Sequence, residues 1–501
     1  MRSVPLQALS RSGSGMGSKP SRPYTLPELC ARRRRSQMPG RHGRHFFLFA
    51  LFCVIGPVLA QAKTYYLSPT GSDANSGLSS NAAWQSPNHA LNCGDVIVAA
   101  ASAKYSAPNF YTGRWGTVSC PTKDKVAWLQ CETFDACKIH TTTNQGMWID
   151  KSYWGVQGWE VTTTAADAYG TCFVAQPNYA SPTSIHHIIF ANDIANGCSQ
   201  GGFALANRGN AGVDYFAVIG SIAYDAAQGT STCASGISIY QPVQSDTLPG
   251  THIYVAGNFS YGNLDPGKCG GGSPTGGEGI TFASFDGKLG GLSPYRSQAV
   301  AINNIVANNG AKGIEVGDNA TGAYHAIIWL NQNTSWGNLT DPNQTWFGCS
   351  EISLADARNT HVSGNLSSTR AATGCGGHPI YALGVSGGDA TDSAEHNVAY
   401  GQNGNNVFLY NSGSFSWGST NQIGVNPMFS NPVAPGAPSC NGTPNVSKCM
   451  ASVIAAFTPK TASAAGLGYQ KPGSGSTRDQ LFPQWLCTAN VPAGLITMRC
   501  K

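Results

Sequence analysis

Apolar and polar positions along this chain repeat with a period far longer than a strand or a helical turn. A polar residue, mostly Asn, is followed by an apolar or Thr position, usually a small residue, and often an aromatic. Copies begin at Glu160, Asp193, Ser221, Asn258, Asn304, Asn333, Asn365 and Asn397, at steps of 33, 28, 37, 46, 29, 32 and 32 residues. Each step holds a second short run, centred on Phe203, Ile237, Ile280, Ile314, Ile352 and Ile380. The runs are bounded by Gly and Asn, and long amphipathic helical periodicity is absent, which predicts strands. Two or more strands per step of about 30 residues, with no helix between them, predict an all-β stacked solenoid of the parallel β-helix type. Asn at a repeated corner tolerates a left-handed backbone and can bond its amide to neighbouring coils, so the repeated Asn residues are expected to be structural.

The two long steps carry a different message. Residues 222–257 and 259–303 contain more chain than a coil needs, including Asp265 to Gly272. Extra loop length on a solenoid tends to form functional walls on one face.

The N-terminal 62 residues change the reading of charge. Phe46 to Ala60 is an unbroken apolar stretch preceded by Arg41 and Arg44 and followed by Ala60-Gln61-Ala62, the pattern of a secretory signal peptide. It is too short for a comfortable membrane span, and Met38 is a candidate true start. Residues 1–62 hold 10 of the 30 Lys and Arg and one of the 25 acids, leaving 20 basic against 24 acidic residues beyond them. The basic character of the whole chain thus resides in the leader, and no affinity for nucleic acid follows from it. The expected divisions are a leader over 1–62, a β-helix with an N-terminal cap over 63–413, and a loop-rich, disulfide-tied C-terminal cap over 414–501.

Fourteen of the 16 cysteines lie beyond the leader. An even number in an exported chain suggests disulfides. Sequential pairing gives Cys93–Cys120, Cys131–Cys137, Cys172–Cys198, Cys233–Cys269, Cys349–Cys375, Cys440–Cys449 and Cys487–Cys500. Three of these separations are close to one solenoid step, as a bridge between adjacent coils would require.

Two end pieces carry a family resemblance. Tyr65 to Gly77 (YYLSPTGSDANSG), Trp84 and Gly94 to Val98 (GDVIV) resemble the opening of secreted right-handed parallel β-helix proteins of the pectate-lyase-like superfamily. Asn426 to Phe429 (NPMF) and Phe457 to Gly468 (FTPKTASAAGLG) resemble their closing segment. The resemblance covers about residues 63–470 and implies a right-handed single-stranded β-helix. It also implies polysaccharide as substrate, with calcium held by Asp or Glu and a Lys or Arg as base in the lyases. One lyase group carries its metal acids and its base Lys on successive strands. The nearest strings here are Gly277-Glu278-Gly279-Ile280 and Gly313-Ile314-Glu315-Val316-Gly317, where Glu278 keeps a metal-type acid and Glu315 replaces the Lys. Glu278 and Asp286 are the candidate Ca2+ ligands, and Lys312 or Lys288 the candidate displaced base.

Aligning the second strands on Phe203, Ile237, Ile280, Ile314 and Ile352 puts Asn207, Gln241, Ser284, Asp318 and Asp356 in one column, and Ala204, Ser238, Thr281, Glu315 and Ser353 in another. Neighbouring coils lie about 4.8 Å apart. Asp318 and Asp356 are then near neighbours that favour a shared proton or a cation. A carboxyl pair at about 5 Å also suits a retaining glycosidase. Glu315, Asp318, Asp356 and Lys312 are the candidate catalytic residues, provided that Gly317 turns the chain and brings Glu315 and Asp318 to one side. Tyr240, Phe285, Tyr295 and Trp346 are candidates for sugar stacking. The chain has no phosphate-binding glycine loop, serine nucleophile elbow or His-Glu-x-x-His metal motif.

These features together predict a secreted (or periplasmic) monomer without a membrane anchor after leader cleavage. The expected activity is lyase-type β-elimination on a uronate-containing polysaccharide. Hydrolysis by paired carboxylates and non-catalytic glycan binding at a cell surface are the alternatives.

Overall fold

The computed structural model describes residues 62–491, apart from 121–124, 143–144, 165–169, 229–232, 266–275, 320–325, 345–348, 371–374, 413, 471–480 and 490. The predicted leader lies outside the described residues. Successive coils contribute strands to three sheets, which contain 12, 11 and 9 strands among the described residues, and all neighbouring strands within them are parallel. The chain is thus a right-handed parallel β-helix. The first sheet runs from Thr64–Leu67 to Ser416–Trp417, the second from Ser102–Tyr105 to Gln422–Ile423, and the third from Met147–Ile149 to Val407–Tyr410. The last strands carry the solenoid to Ile423, ten residues beyond the expected boundary.

Alternation builds the interior. In Ile314–Gly317 the residues Ile314 and Val316 are buried and stack on Ile280 and Phe282 of the coil below, while Glu315 and Gly317 face outward. Aromatic rings fill the wider coils, as where Phe173 stacks on Phe203 at 4.8 Å.

The repeated polar residue is a hydrogen-bonded ladder. The Asn258 backbone N–H and amide both donate to Asn304 Oδ1, and the same pairing links Asn304 to Asn333, Asn333 to Asn365, Asn365 to Asn397 and Asn397 to Asn421. Buried amides are thereby satisfied rung by rung. Two details differ from expectation. The left-handed backbone falls on the residue before the ladder position, at Asn192, Asn303, Gln332 and His396, leaving the ladder Asn free to bond along the stack. The first copy starts at Trp159, whose N–H donates to Asp193 Oδ1, and Glu160 beside it pairs with Ile194. A second ladder joins Asn263, Asn309 and Asn338 and ends on the buried carboxylate of Glu351, which accepts from Asn338 N and Ser335 Oγ.

Five predicted disulfides are present: Cys93–Cys120, Cys131–Cys137, Cys172–Cys198, Cys349–Cys375 and Cys440–Cys449. Cys233 and Cys487 are also disulfide-bonded. Their expected partners Cys269 and Cys500 lie outside the described residues.

The C-terminal segment departs from its predicted role. It runs back along the flanks of the solenoid as a strap. Val446, Met450, Phe457 and Tyr469 pack on Ile194, Ile222, Phe259 and Ile305 of the second sheet, and Asn192 Oδ1 accepts from Val446 N. Trp485, Leu486 and Ala489 cover Ile189, Tyr215, Tyr254 and Val300 of the first sheet, and the Trp128 indole N–H donates to Ala489 O. Apolar side chains on the outside of those two sheets created the need for this cover. The described residues of the strap pack on those two sheets, and the outward positions of the third sheet from Ala204 to Gly384 are small or polar.

Candidate active site on the third sheet

The register of the third sheet fixes which side chains share its open face. One outward column runs Trp148, Val174, Ala204, Ser238, Thr281, Glu315, Ser353, Gly384 and Phe408. The next runs Tyr240, Ala283, Gly317, Ala355, Ser386 and Tyr410. The column read from Ala204 to Ser353 therefore holds, and the second holds from Gln241 to Asp356, whereas Asn207 lies beyond the ladder, which ends there at Leu205. The next rung differs, because Ile352 pairs with Leu383 and not with the position of Ile380. The floor is a trough of small residues. The insert stretches 225–236 and 262–279 precede Ile237–Tyr240 and Ile280–Ala283, and 241–250 and 284–297 follow them. The extra residues of the long steps therefore fall, in sequence, on both sides of these two strands.

Five consecutive strands, from Ile237–Tyr240 to Tyr381–Ser386, leave the sheet through a left-handed residue: Gln241, Ser284, Asp318, Asp356 and Gly387, at φ between 48° and 75°. The turn expected at Gly317 is thus made at Asp318 itself, and Glu315 belongs to a cluster on the opposite margin. Asp and Asn are the side chains best suited to such a position after Gly. The Asp318 N–H donates to Ala355 O and the Asp286 N–H to Asp318 O, so three acids follow one another at the corner. Both Asp318 and Asp356 are exposed, whereas Asp286 is buried and paired with Lys288 at 3.3 Å. Partial burial, then Asp286, Asp356 and Glu315, raise the pKa of Asp318 above that of an ordinary Asp, with Lys288 opposing. Gly387 matters here: a Cβ on it would lie 2.2 Å from Asp356 Oδ1, so its missing side chain leaves room for that carboxylate.

Glu278, Lys312 and Glu315 form a second cluster on the opposite margin. Lys312 Nζ lies 2.9 Å from Glu315 Oε1 and 3.9 Å from Glu278 Oε1. Ser235 Oγ donates to Glu278 Oε2 and also contacts Thr281 Oγ1 at 2.9 Å. Burial works against charge on Lys312, but Glu315 and Glu278 outweigh it and raise its pKa. The ammonium is therefore retained at neutral pH, which does not suit a proton-abstracting base. Burial, and secondarily Glu315, push Glu278 up to about 8.

Glu278 and Asp286 do not fit a calcium site between them. They stand at opposite ends of Ile280–Ala283, a strand that spans about 13 Å. Each is already engaged, Glu278 with Ser235 and Lys312 and Asp286 with Lys288. Among the described residues no three His, Cys, Asp or Glu side chains converge as a metal-binding group.

Sequence reasoning missed the upstream part of the face. A cavity of about 430 Å³ is lined by Gln145, Thr171, Gln176, Arg208, Ser238 and Tyr240 among others. The Arg208 guanidinium lies 3.6 Å from the Tyr179 ring centre and donates to Gln176 Oε1. Beneath it the fully buried Trp148 meets Tyr179 edge-on at 5.1 Å. Extending the strand register upstream would have found Trp148, but Tyr179 and Arg208 lie on loops without period. Of the proposed stacking residues, Tyr240 reaches the cavity. Phe285 and Tyr295 are buried, Tyr295 donating to Asp214, and Trp346 lies outside the described residues.

The buried acids make stability depend on pH. Unfolded, Glu278 and Glu351 lose their protons near 4.5; folded, burial holds them to about 8 and about 7. The folded state binds more protons across this window, so their contribution is full below about 4.5 and is lost as pH rises towards 8. Urea midpoints should fall from pH 5 to 8, and Glu278→Gln should make the fall shallower. A stability that rises through that range contradicts the burial of these groups.

No protein-family model matches this chain, and no curated protein matches it by sequence. Similar solved structures include pectate lyase Pel9A, at 16% identity over 83% of this chain and 91% of that chain with a TM-score of 0.40. A GH136 lacto-N-biosidase from Eubacterium ramulus is similar at 12% identity, covering 73% of this chain and 68% of that chain, with a TM-score of 0.39. The A-module of an Azotobacter vinelandii mannuronan C-5 epimerase follows at 12% identity, 68% and 91% coverage, and a TM-score of 0.30. At these values the likeness bears on neither substrate nor reaction.

Proposed function

We propose that this chain is an exported glycan-cleaving enzyme that binds an extended sugar chain along the open face of its third sheet and cuts it by hydrolysis. The observation that carries this is the pair Asp318 and Asp356. They are exposed on consecutive rungs at the margin of a small-floored trough, and partial burial together with the neighbouring acids raises the proton affinity of Asp318. Two carboxyl groups with distinct environments are the requirement for glycoside hydrolysis. Asp318 donates its proton to the glycosidic oxygen as the bond to the leaving sugar breaks. Asp356 attacks the anomeric carbon or activates the water that does so. Export is supported by the disulfides, which persist in oxidising compartments. No helix among the described residues is long and apolar enough to cross a membrane.

β-Elimination on a uronate polymer is the second reading. It is favoured by Arg208, whose guanidinium beside Tyr179 could receive a carboxylate. Its difficulty is the base, since Lys312 is buried and holds its proton.

Incubation with neutral and acidic polysaccharides, with and without a chelator, separates the possibilities. New reducing ends without an ultraviolet-absorbing unsaturated product are expected. An unsaturated product that disappears with chelator would replace hydrolysis by metal-assisted elimination. Binding without any cleavage would leave a glycan-binding solenoid.

A further inference from the structure

The two outward columns end alike at the far side of the acids. Between Tyr240 and Tyr410 the column contains only Ala283, Gly317, Ala355 and Ser386. In the neighbouring column Glu315 is followed by Ser353, Gly384 and then Phe408. The trough therefore passes the acid pair and runs onto an aromatic group. Phe408 lies 5.0 Å from Tyr381 between ring centres and 6.3 Å from Tyr410, the latter pair within 13° of parallel. Tyr410 is 47% exposed on the last strand of this sheet.

Resting on the glycan-cleaving reading, we infer that Tyr381, Phe408 and Tyr410 form a sugar-stacking subsite two coils beyond Asp356, on the side opposite the cavity lined by Gln176, Arg208 and Tyr240. The strand carrying Asp356 is followed by those carrying Ser386 and Tyr410, so the platform lies about 10 Å from the acid along the stack. Continuity with the trough selects the occupant. Small floor residues admit a flat, extended chain between two aromatic ends, and aromatic faces bind the apolar faces of sugar rings. With a subsite on each side of the acids, the enzyme cuts within long chains, and oligosaccharides that span both ends bind best.

The test uses four linear hexasaccharides, cellohexaose, xylohexaose, chitohexaose and hexagalacturonate, with their disaccharides as short controls. Binding is measured by titration calorimetry in the full chain carrying Asp318→Asn, so that no probe is consumed, and cleavage products are sized in the parent protein. We expect at least one hexasaccharide to bind more tightly than its disaccharide. Phe408→Ala with Tyr410→Ala should weaken that hexasaccharide about tenfold, raise KM and shift the product lengths. Tyr410→Trp in place of the alanine should restore binding, which a merely structural contribution would not do. Unchanged affinity and product lengths in the double variant overturn the subsite and leave the glycan-cleaving reading intact. Failure of the parent protein to bind or cut any of the four removes that reading and the subsite with it. A change of oligomeric state caused by Tyr410→Ala would assign the patch to a second copy and also overturn the subsite.

Discussion

Asp318→Asn combined with Asp356→Asn is expected to lower turnover by about 10²–10⁴-fold, the range that general acid–base groups supply, with little change in thermal midpoint. Asparagine is the informative replacement. Both residues hold a left-handed backbone, at φ 53° and 48°, which costs a residue such as Ala roughly 1–2 kcal/mol. An Asp→Ala pair would therefore combine lost chemistry with backbone strain, whereas Asn keeps the turn and removes only the carboxylate. Gly387→Ala probes the same acid from outside: its Cβ would meet Asp356 Oδ1 at 2.2 Å, so the carboxylate must move. That variant should lose activity although it retains both acids. Full activity in the double Asn variant would place the chemistry elsewhere, with Glu315 the next acid to replace.

Ending the chain at Gly424 is expected to abolish soluble folding. The truncation leaves the third sheet and both Asn ladders in place but uncovers the apolar outer faces of the other two. Val446, Met450, Phe457, Trp485 and Leu486 are all buried on those faces. At roughly 1.5–3 kcal/mol for each such side chain, their removal rivals the ~5–15 kcal/mol that holds an ordinary domain together. Exposed apolar flanks of this kind are also aggregation surfaces. The truncated protein should precipitate or bind hydrophobic dyes and lose a cooperative melt. A monodisperse product that melts cooperatively would show that the strap contributes little.

The coil step and the short strands were legible in the sequence because each rung obeys a local rule: one polar ladder residue, one alternating strand, one turn. The register of the open face followed from Phe203 to Ile352 for the same reason. It slipped at Ile380, because the residue that pairs with Ile352 is Leu383. Trp159 escaped notice because a ladder position without a polar side chain leaves no mark. Lys312 looked available as a base because sequence carries no sign of burial. The strap was illegible for a related reason. Val446 meets Asn192 across 254 residues, and nothing periodic in the tail announces that contact.

The backward course of the strap also orders events in time. Coils can stack as the chain emerges, since each rests on the one before, but the flanks of the early coils wait for residues made last. Trp128 donates its indole hydrogen to Ala489, 361 positions later. A chain interrupted during synthesis thus advertises its own incompleteness through unsealed sides, whatever the state of its third sheet.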